Sequence, residues 1–216
     1  MKAECDHLVV AAATLAEGVQ WCEHVLGVTP GPGGRHPLMG THNRLFDVSS
    51  DAFPLVFFEI LAIDPAASAP GRARWFGLDT CDLRGGPRLL TWVARSSAID
   101  SQTEALRAAG LDIGPVIGAS RDTPQGRLEW RLSVRDDGCL LAGGALPMLI
   151  DWGRAPHPAP SMIAPGVTLR GLTLHGLTPA AIHALDCRSV QHGGDVGPAL
   201  SITLDTPRGR ITLTSN

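Results

Sequence analysis

The sequence predicts an α+β protein made of repeated βαβββ modules, two complete and one truncated. Their strands should form a curled, mixed sheet shaped like a cup, with the helices outside. Three observations lead there. The segment Gly27-Val28-Thr29-Pro30-Gly31-Pro32 recurs as Gly110-Leu111-Asp112-Ile113-Gly114-Pro115 and as Gly193-Gly194-Asp195-Val196-Gly197-Pro198, at a constant step of 83 residues. Arg44-Leu45, Arg127-Leu128 and Arg210-Ile211 keep the same step. A period this long marks a copied supersecondary unit. Each copy also orders the same local signals: an apolar run, a helix start, a glycine stop and a strand–turn–strand.

In the first copy, Asp6 to Ala12 centres on Leu8-Val9-Val10 and reads as a buried strand. Thr14 and Glu17 have the spacing of a capping box, in which side-chain oxygens satisfy the free N–H groups of a helix start. Val19, Cys22, Val25 and Leu26 give that helix an apolar face, and Gly27 is placed to end it. The second copy offers Leu89 to Ala94 as strand, Ser97 with Asp100 as capping box and Gly110 as stop. The third offers Leu172-Thr173-Leu174, then Thr178-Pro179 as cap and first helical residue, with Gly193 closing the helix. Hairpin turns are predicted at Asp122-Thr123-Pro124-Gln125-Gly126 and Asp205-Thr206-Pro207-Arg208-Gly209. A fourth strand follows at 55–63 and at 146–152, and has no counterpart in the third copy. The modules are therefore set at 1–64, 88–153 and 166–216, with linkers at 65–87 and 154–165, the latter rich in proline. The missing strand leaves an open sheet edge, which cover within the chain or a homodimer would protect.

Composition excludes several classes of function. The apolar fraction of 44% and charged fraction of 18% are ordinary for a globular chain of 216 residues. A net charge of −3 gives no reason to invoke nucleic acid or an anionic membrane. Lys2 is the only lysine, so neither a phosphate-loop lysine nor a Schiff-base lysine is available within the body of the chain. Tyrosine is absent. The five cysteines form no CxxC pair and, with no secretory signal pattern, suggest a reducing cytoplasm. No apolar run approaches the ~20 residues of a membrane span.

The exceptional residues of the first module are His7 on its first strand and Glu59 inside the apolar run of its fourth. A carboxylate there is costly to bury unless it is paired or binds metal. Spacing leaves both readings open: a His–Glu hydrogen bond, or a metal pair suited to zinc, iron, manganese or nickel. Arg35, His36, His42 and Asn43 cluster around the first hairpin and suit carboxylate or enolate oxygens, whereas Arg44 recurs in every copy and reads as a hairpin residue. Trp75, Phe76 and Trp152 are candidates to line the cup. His175, His183 and His192 lack ligand spacing.

Paired βαβββ modules with a histidine opening strand one and a glutamate within strand four resemble the vicinal oxygen chelate superfamily. Asp6-His7-Leu8-Val9-Val10, Gly33-Gly34-Arg35-His36-Pro37, Gly40-Thr41-His42-Asn43-Arg44-Leu45 and Arg74-Trp75-Phe76-Gly77 are similar to its glyoxalase-like domain group. The resemblance implies a divalent metal held by first and fourth strands of two modules. His7 and Glu59 match the first pair. At the repeat step His7 falls on Leu90, and the counterpart of Glu59 lies near Asp151, where a one-residue change of phase reverses the face. The implied set is therefore His7, Glu59 and Asp151 as metal ligands, with Glu59 and Asp151 also available as bases. Arg35, His36, His42, Asn43, Trp75 and Trp152 would bind substrate. The resulting expectation is a metal-dependent lyase or isomerase acting on a small oxygenated metabolite. The alternatives are a sequestering protein of the bleomycin-resistance type and a scaffold whose repeats only mediate association.

Overall fold

The computed structural model describes residues 2–123 and 126–215, so Pro124 and Gln125 of the predicted second hairpin turn lie outside the described residues. β1 (Glu4–Ala11) is buried on both faces: Leu8 and Val10 join the core under the helices, while Val9 and Ala11 join a second core inside the cup. Burial on both sides explains why this strand reads as a continuous apolar run. α1 (Leu15–Val25) starts as predicted, with Thr14 Oγ1 accepting the Glu17 N–H at 3.1 Å. β2 (Arg35–His36), β3 (Thr41–Asp47) and β4 (Phe57–Ile63) complete the first set of strands.

The order repeats with β5 (Arg88–Arg95), α2 (Ile99–Ala108), β6 (Val116–Thr123), β7 (Gly126–Ser133) and β8 (Met148–Asp151). Gly27 and Gly110 follow α1 and α2 at φ +76° and +82°, the left-handed conformation that ends a helix cheaply only at glycine. The predicted Ser97–Asp100 capping box does not organise the start of α2. Ala98 is the N-cap and provides no side-chain bond, while Asp100 instead pairs with Arg131 on β7 at 2.5 Å.

These strands form one eight-stranded sheet in the order β2-β3-β4-β1-β5-β8-β7-β6. β1 runs parallel to β4 and antiparallel to β5, and β5 runs parallel to β8. The two edge strands, β2 and β6, approach each other, so the sheet curls almost into a barrel. Its concave face holds Val9, Ala11, Leu61, Leu90, Trp130, Leu132, Met148 and Ile150.

The remaining elements are β9 (Thr168–Leu174), α3 (Pro179–Leu185), β10 (Gln191–His192), β11 (Leu200–Thr206) and β12 (Gly209–Thr214). The four strands make a separate sheet in the order β10-β9-β11-β12. Thr178 caps α3 and Pro179 opens it, but the helix stops at Leu185 with Asp186 in the left-handed region (φ +38°), well before Gly193. Leu169, Leu172, Leu200, Ile202 and Leu204 pack into the same core as Leu8, Leu26 and Leu106. This sheet therefore covers the helix side of the first two units within one chain, leaving the cup free. No helix among the described residues is long and apolar enough to cross a membrane.

Candidate active site

Strand alternation decides which side chains enter the cup. On β3, Thr41, Asn43 and Leu45 are buried, while His42 is part-exposed and Arg44 exposed. On β4, Glu59 sits between Phe57 and Leu61 on the concave face, opposite the helix-facing Phe58 and Ile60. On β1 the pairing to β5 slips between Cys5 and His7, leaving Asp6 as an extra residue. Such a bulge re-aims neighbouring side chains. Here Asp6 and His7 bond to each other instead of pointing to opposite faces.

His7 and Glu59 meet at the floor of a recess. Their side chains are buried, at 7% and 5% exposure, and His7 Nε2 faces Glu59 Oε2 across 3.6 Å. On its other side His7 Nδ1 lies 2.7 Å from Asp6 Oδ1. A carboxylate can only accept, so Nδ1 carries a proton. Nε2 and Oε2 would then oppose each other lone pair to lone pair unless a proton or another positive centre lies between them. Phe57 stacks on the imidazole at 4.5 Å and fixes its plane.

Asn43 holds the other oxygen of Glu59. Its Oδ1 accepts the Gly34 N–H at 2.7 Å, which forces Nδ2 toward Glu59, where it donates to Oε1 at 2.6 Å. The fit needs Gly33. A Cβ there would lie 2.1 Å from the backbone oxygen of Asn43, closer than any side chain permits. His36 closes the same side, with Nε2 at 3.4 Å from Asn43 Nδ2 and Nδ1 at 3.1 Å from Thr41 Oγ1. Burial, with the positive charge of Arg121 and the neighbouring His7 and His42, pushes its pKa down to about 3. His36 is therefore a neutral imidazole, accepting at Nε2 and donating from Nδ1.

Asp6 ties the floor to the linker 154–165. Trp152 Nε1 donates to its Oδ2 at 2.8 Å, and His157 Nε2 does so at 2.9 Å. The Ala159 N–H points to His157 Nδ1 at 3.2 Å, so the proton of a neutral His157 sits on Nε2. Burial alone would raise the Asp6 carboxyl, but the bonds from His157 and His7 outweigh it and hold the group well below the usual carboxylate range. The linker is thereby laid against the cup, with Ala159 packed on Leu45 and Phe57.

Seven residues singled out in the sequence thus come together: His7, His36, Asn43, Glu59, Trp75, Phe76 and Trp152. Three do not. Arg35 is 65% exposed and pairs with Asp64 at 3.0 Å, outside the recess. His42 also turns to Asp64, 4.0 Å away. Asp151 is the main correction. Met148 and Ile150 are the β8 residues that enter the cup, so Asp151 faces outward, 3.7 Å from Arg131. The sequence reading missed Asp6, Phe57, Arg121, Trp130 and His157. Arg121 and Trp130 were legible in principle, since Ile117-x-Ala119-x-Arg121 and Leu128-x-Trp130-x-Leu132 alternate with period two. Nothing in the proline-rich linker marked His157.

The donor set does not fit the expected divalent metal. Only His7 Nε2 and Glu59 converge, and no group of three or more His, Cys, Asp or Glu among the described residues is arranged to hold an ion. Catalytic metal sites take three protein donors. The second half of the cup supplies Leu90 and Ile150 to the concave core, and its guanidinium, Arg121, lines the same recess as Glu59.

Residues 5–186 match the family model described as the glyoxalase-like domain. The chain belongs to the glyoxalase-like domain family. This places it in the vicinal oxygen chelate superfamily, whose curled paired-module sheet it shares. Among solved structures, a hypothetical protein from Staphylococcus aureus aligns over 99% of this chain and 86% of its own, with TM-score 0.56 and 14% identity. Methylmalonyl-CoA epimerase from Mycobacterium tuberculosis aligns over 70% of this chain and 88% of its own, with TM-score 0.41 and 20% identity. A methylmalonyl-CoA epimerase in complex with methylmalonyl-CoA and NH4+ gives 73%, 100%, 0.46 and 16%. At these identities the first alignment speaks to the fold alone, and the two epimerase alignments carry no argument about this glyoxalase-like protein. Comparison with curated proteins returns no significant match.

Proposed function

We propose that this glyoxalase-like protein is an enzyme of isomerase or lyase type that moves a proton on a small oxygenated substrate, with Glu59 and His7 as the exchanging pair. The observation that carries the reading is the buried 3.6 Å approach of His7 Nε2 to Glu59 Oε2, backed by Asp6. One proton belongs to that gap, so either partner can hold it. Glu59 Oε2 takes a proton from an acidic C–H or O–H of the substrate, and the proton on His7 Nε2 is available for return to another atom. Asn43 keeps Oε1 fixed during the transfer, and Asp6 steadies the charge on the imidazole. The largely aromatic surroundings lower the local dielectric, which strengthens each of these electrostatic contacts.

The test is hydrogen–deuterium exchange, followed by NMR, on small 2-oxo and 2-hydroxy compounds in D2O. Glu59→Gln keeps the shape and removes the base, and should slow exchange by about 10²-fold or more, the usual worth of a positioned general base. Chelator should leave the wild-type rate unchanged, because among the described residues no third donor is arranged with His7 and Glu59 to hold an ion. Exchange in Glu59→Gln at the wild-type rate, or exchange that depends on added divalent metal, would sink the proposal. A second reading, sequestration of a ligand without chemistry, draws support from Leu90 and Ile150 on the concave wall. It predicts binding with no exchange by any variant.

A further inference from the structure

Among the described residues Arg121 is the one guanidinium lining the recess, and neither the proton-transfer pair nor the fold explains it. It extends from β6 in alternation with Ile117 and Ala119, which pack into the cup. Its side chain passes close to β2: a Cβ at Gly34 would come 2.9 Å from Arg121 Nη1, so glycine is what lets it pass. Its Nε is enclosed and has no hydrogen-bond partner among the described residues. Glu59 lines the same recess, yet no ion pair within 4.0 Å joins the two among the described residues. An enclosed guanidinium with unused donors is costly unless an anionic acceptor arrives to meet them. Its planar fork matches the two oxygens of a carboxylate.

The recess sets the size. Its free volume is about 40 Å³, room for on the order of three waters. Phe57, Trp75, Trp130 and Trp152 wall it, so the part of a ligand that enters must be small, with a flat or apolar flank. Trp130 and Trp152 also line a neighbouring open cleft of about 920 Å³, where any remainder of the molecule would lie.

We infer that Arg121 receives the carboxylate of the substrate and thereby selects a small carboxylic acid, or the carboxylate end of a larger one. The atom next to that carboxylate is then presented to Glu59, which lines the same recess; this second half rests on the proton-transfer reading above. An organic cation in this position does the electrostatic work of gathering substrate oxygens without a metal.

Binding tests the inference separately from catalysis. Tryptophans 75, 130 and 152, three of the five in the chain, line the recess and report on its occupancy by fluorescence. Acetate and propionate, titrated at constant ionic strength, should give a saturable change that acetamide does not. Arg121→Gln should weaken the acetate response about ten- to a hundredfold, the range for hydrogen bonds to a charged group. Glu59→Gln should bind acetate at least as tightly as wild type, because a nearby negative charge is gone. Equal responses to acetate and acetamide overturn the assignment, as does preference for inorganic phosphate over acetate. Unchanged acetate affinity in Arg121→Gln overturns it too. If Arg121→Gln does not fold, the acetate–acetamide contrast in wild type and the Glu59→Gln titration still decide it. Intact acetate binding by Arg121→Gln, with exchange still lost in Glu59→Gln, would remove this inference and leave the proton-transfer reading standing.

Discussion

Lowering the pH should destabilise this protein through His36 in particular, and the size of the effect follows from its surroundings. Burial, joined by Arg121, His7 and His42, moves its pKa from 6.5 in the unfolded chain down to about 3 in the folded one. Between those values the unfolded chain binds a proton that the folded chain refuses. Stability therefore rises with pH across the window and is lost as pH falls below the unfolded value. At about pH 4.5, two units below that value, the cost is on the order of 3 kcal/mol, at roughly 1.4 kcal/mol per unit. For a chain of this size that lowers Tm by roughly 5–10 °C.

The control is His36→Gln, which offers an amide to Thr41 and Asn43 and does not titrate. Asp6 does not confuse the comparison, because its depressed pKa draws on stability only below the ordinary aspartate value of 3.8. His42 and His192 are also lowered, chiefly by burial, and act in the same direction. They are present in both proteins and cancel in the difference. Urea unfolding of each protein at neutral pH and at about pH 4.5 measures the effect. Wild type should lose roughly 2–3 kcal/mol more than His36→Gln. Equal losses would refute the claim that His36 is held as a neutral, enclosed imidazole.

Two further substitutions probe the supports of the site. Gly33→Ala drives a methyl group to within 2.1 Å of the Asn43 backbone oxygen, where no flexible side chain can give way. It should cost about 1–3 kcal/mol in urea unfolding and weaken Glu59-dependent exchange, whereas an unchanged unfolding midpoint would contradict the described packing. His157→Ala removes one of the three donors on Asp6. It should cost roughly 1–3 kcal/mol and speed limited proteolysis within 154–165; unchanged cleavage would mean that the linker is held by something other than this bond.

The repeat made most of the architecture legible from residues alone. Strand positions, the Thr14 and Thr178 caps and the stops at Gly27 and Gly110 depend on local chemistry that the sequence states directly. The misses have physical causes. Asp151 was assigned by counting along a repeat whose second copy carries an extra loop before β8, and one residue of phase in a strand exchanges the faces. Ile150, not Asp151, therefore enters the cup. Arg35 and His42 were grouped with His36 and Asn43 by proximity in sequence, but adjacent strand residues point to opposite sides. Asp6 was overlooked because ordinary alternation would turn it away from His7, and the bulge that rescues it leaves no local signature. His157 depends on a contact between residues 151 positions apart, which no period or motif encodes.

The duplication gives the two halves of the cup the same scaffold, yet their contributions to the recess differ in kind. The first half supplies His7 and Glu59, the pair proposed to exchange a proton, with the Asp6 carboxylate behind His7 and Asn43 and His36 beside Glu59. The second half places Leu90 and Ile150 in the concave core and adds Arg121 and Trp130 to the recess. Two buried carboxylates at one end of a closed space require compensation. Asp6 receives it from three donors, His7, Trp152 and His157, whereas Glu59 has the single amide of Asn43 and faces His7 Nε2. Arg121, which lines the same recess, supplies the remaining positive field without an ion pair to Glu59 among the described residues, and burial holds its own pKa below the usual value while the charge of Glu59 pulls it back up. A contact pair would have neutralised both groups and filled the space between them. Under the proposed function, Arg121 and Glu59 stay unpaired in one recess, so the first can meet a bound anion and the second its proton.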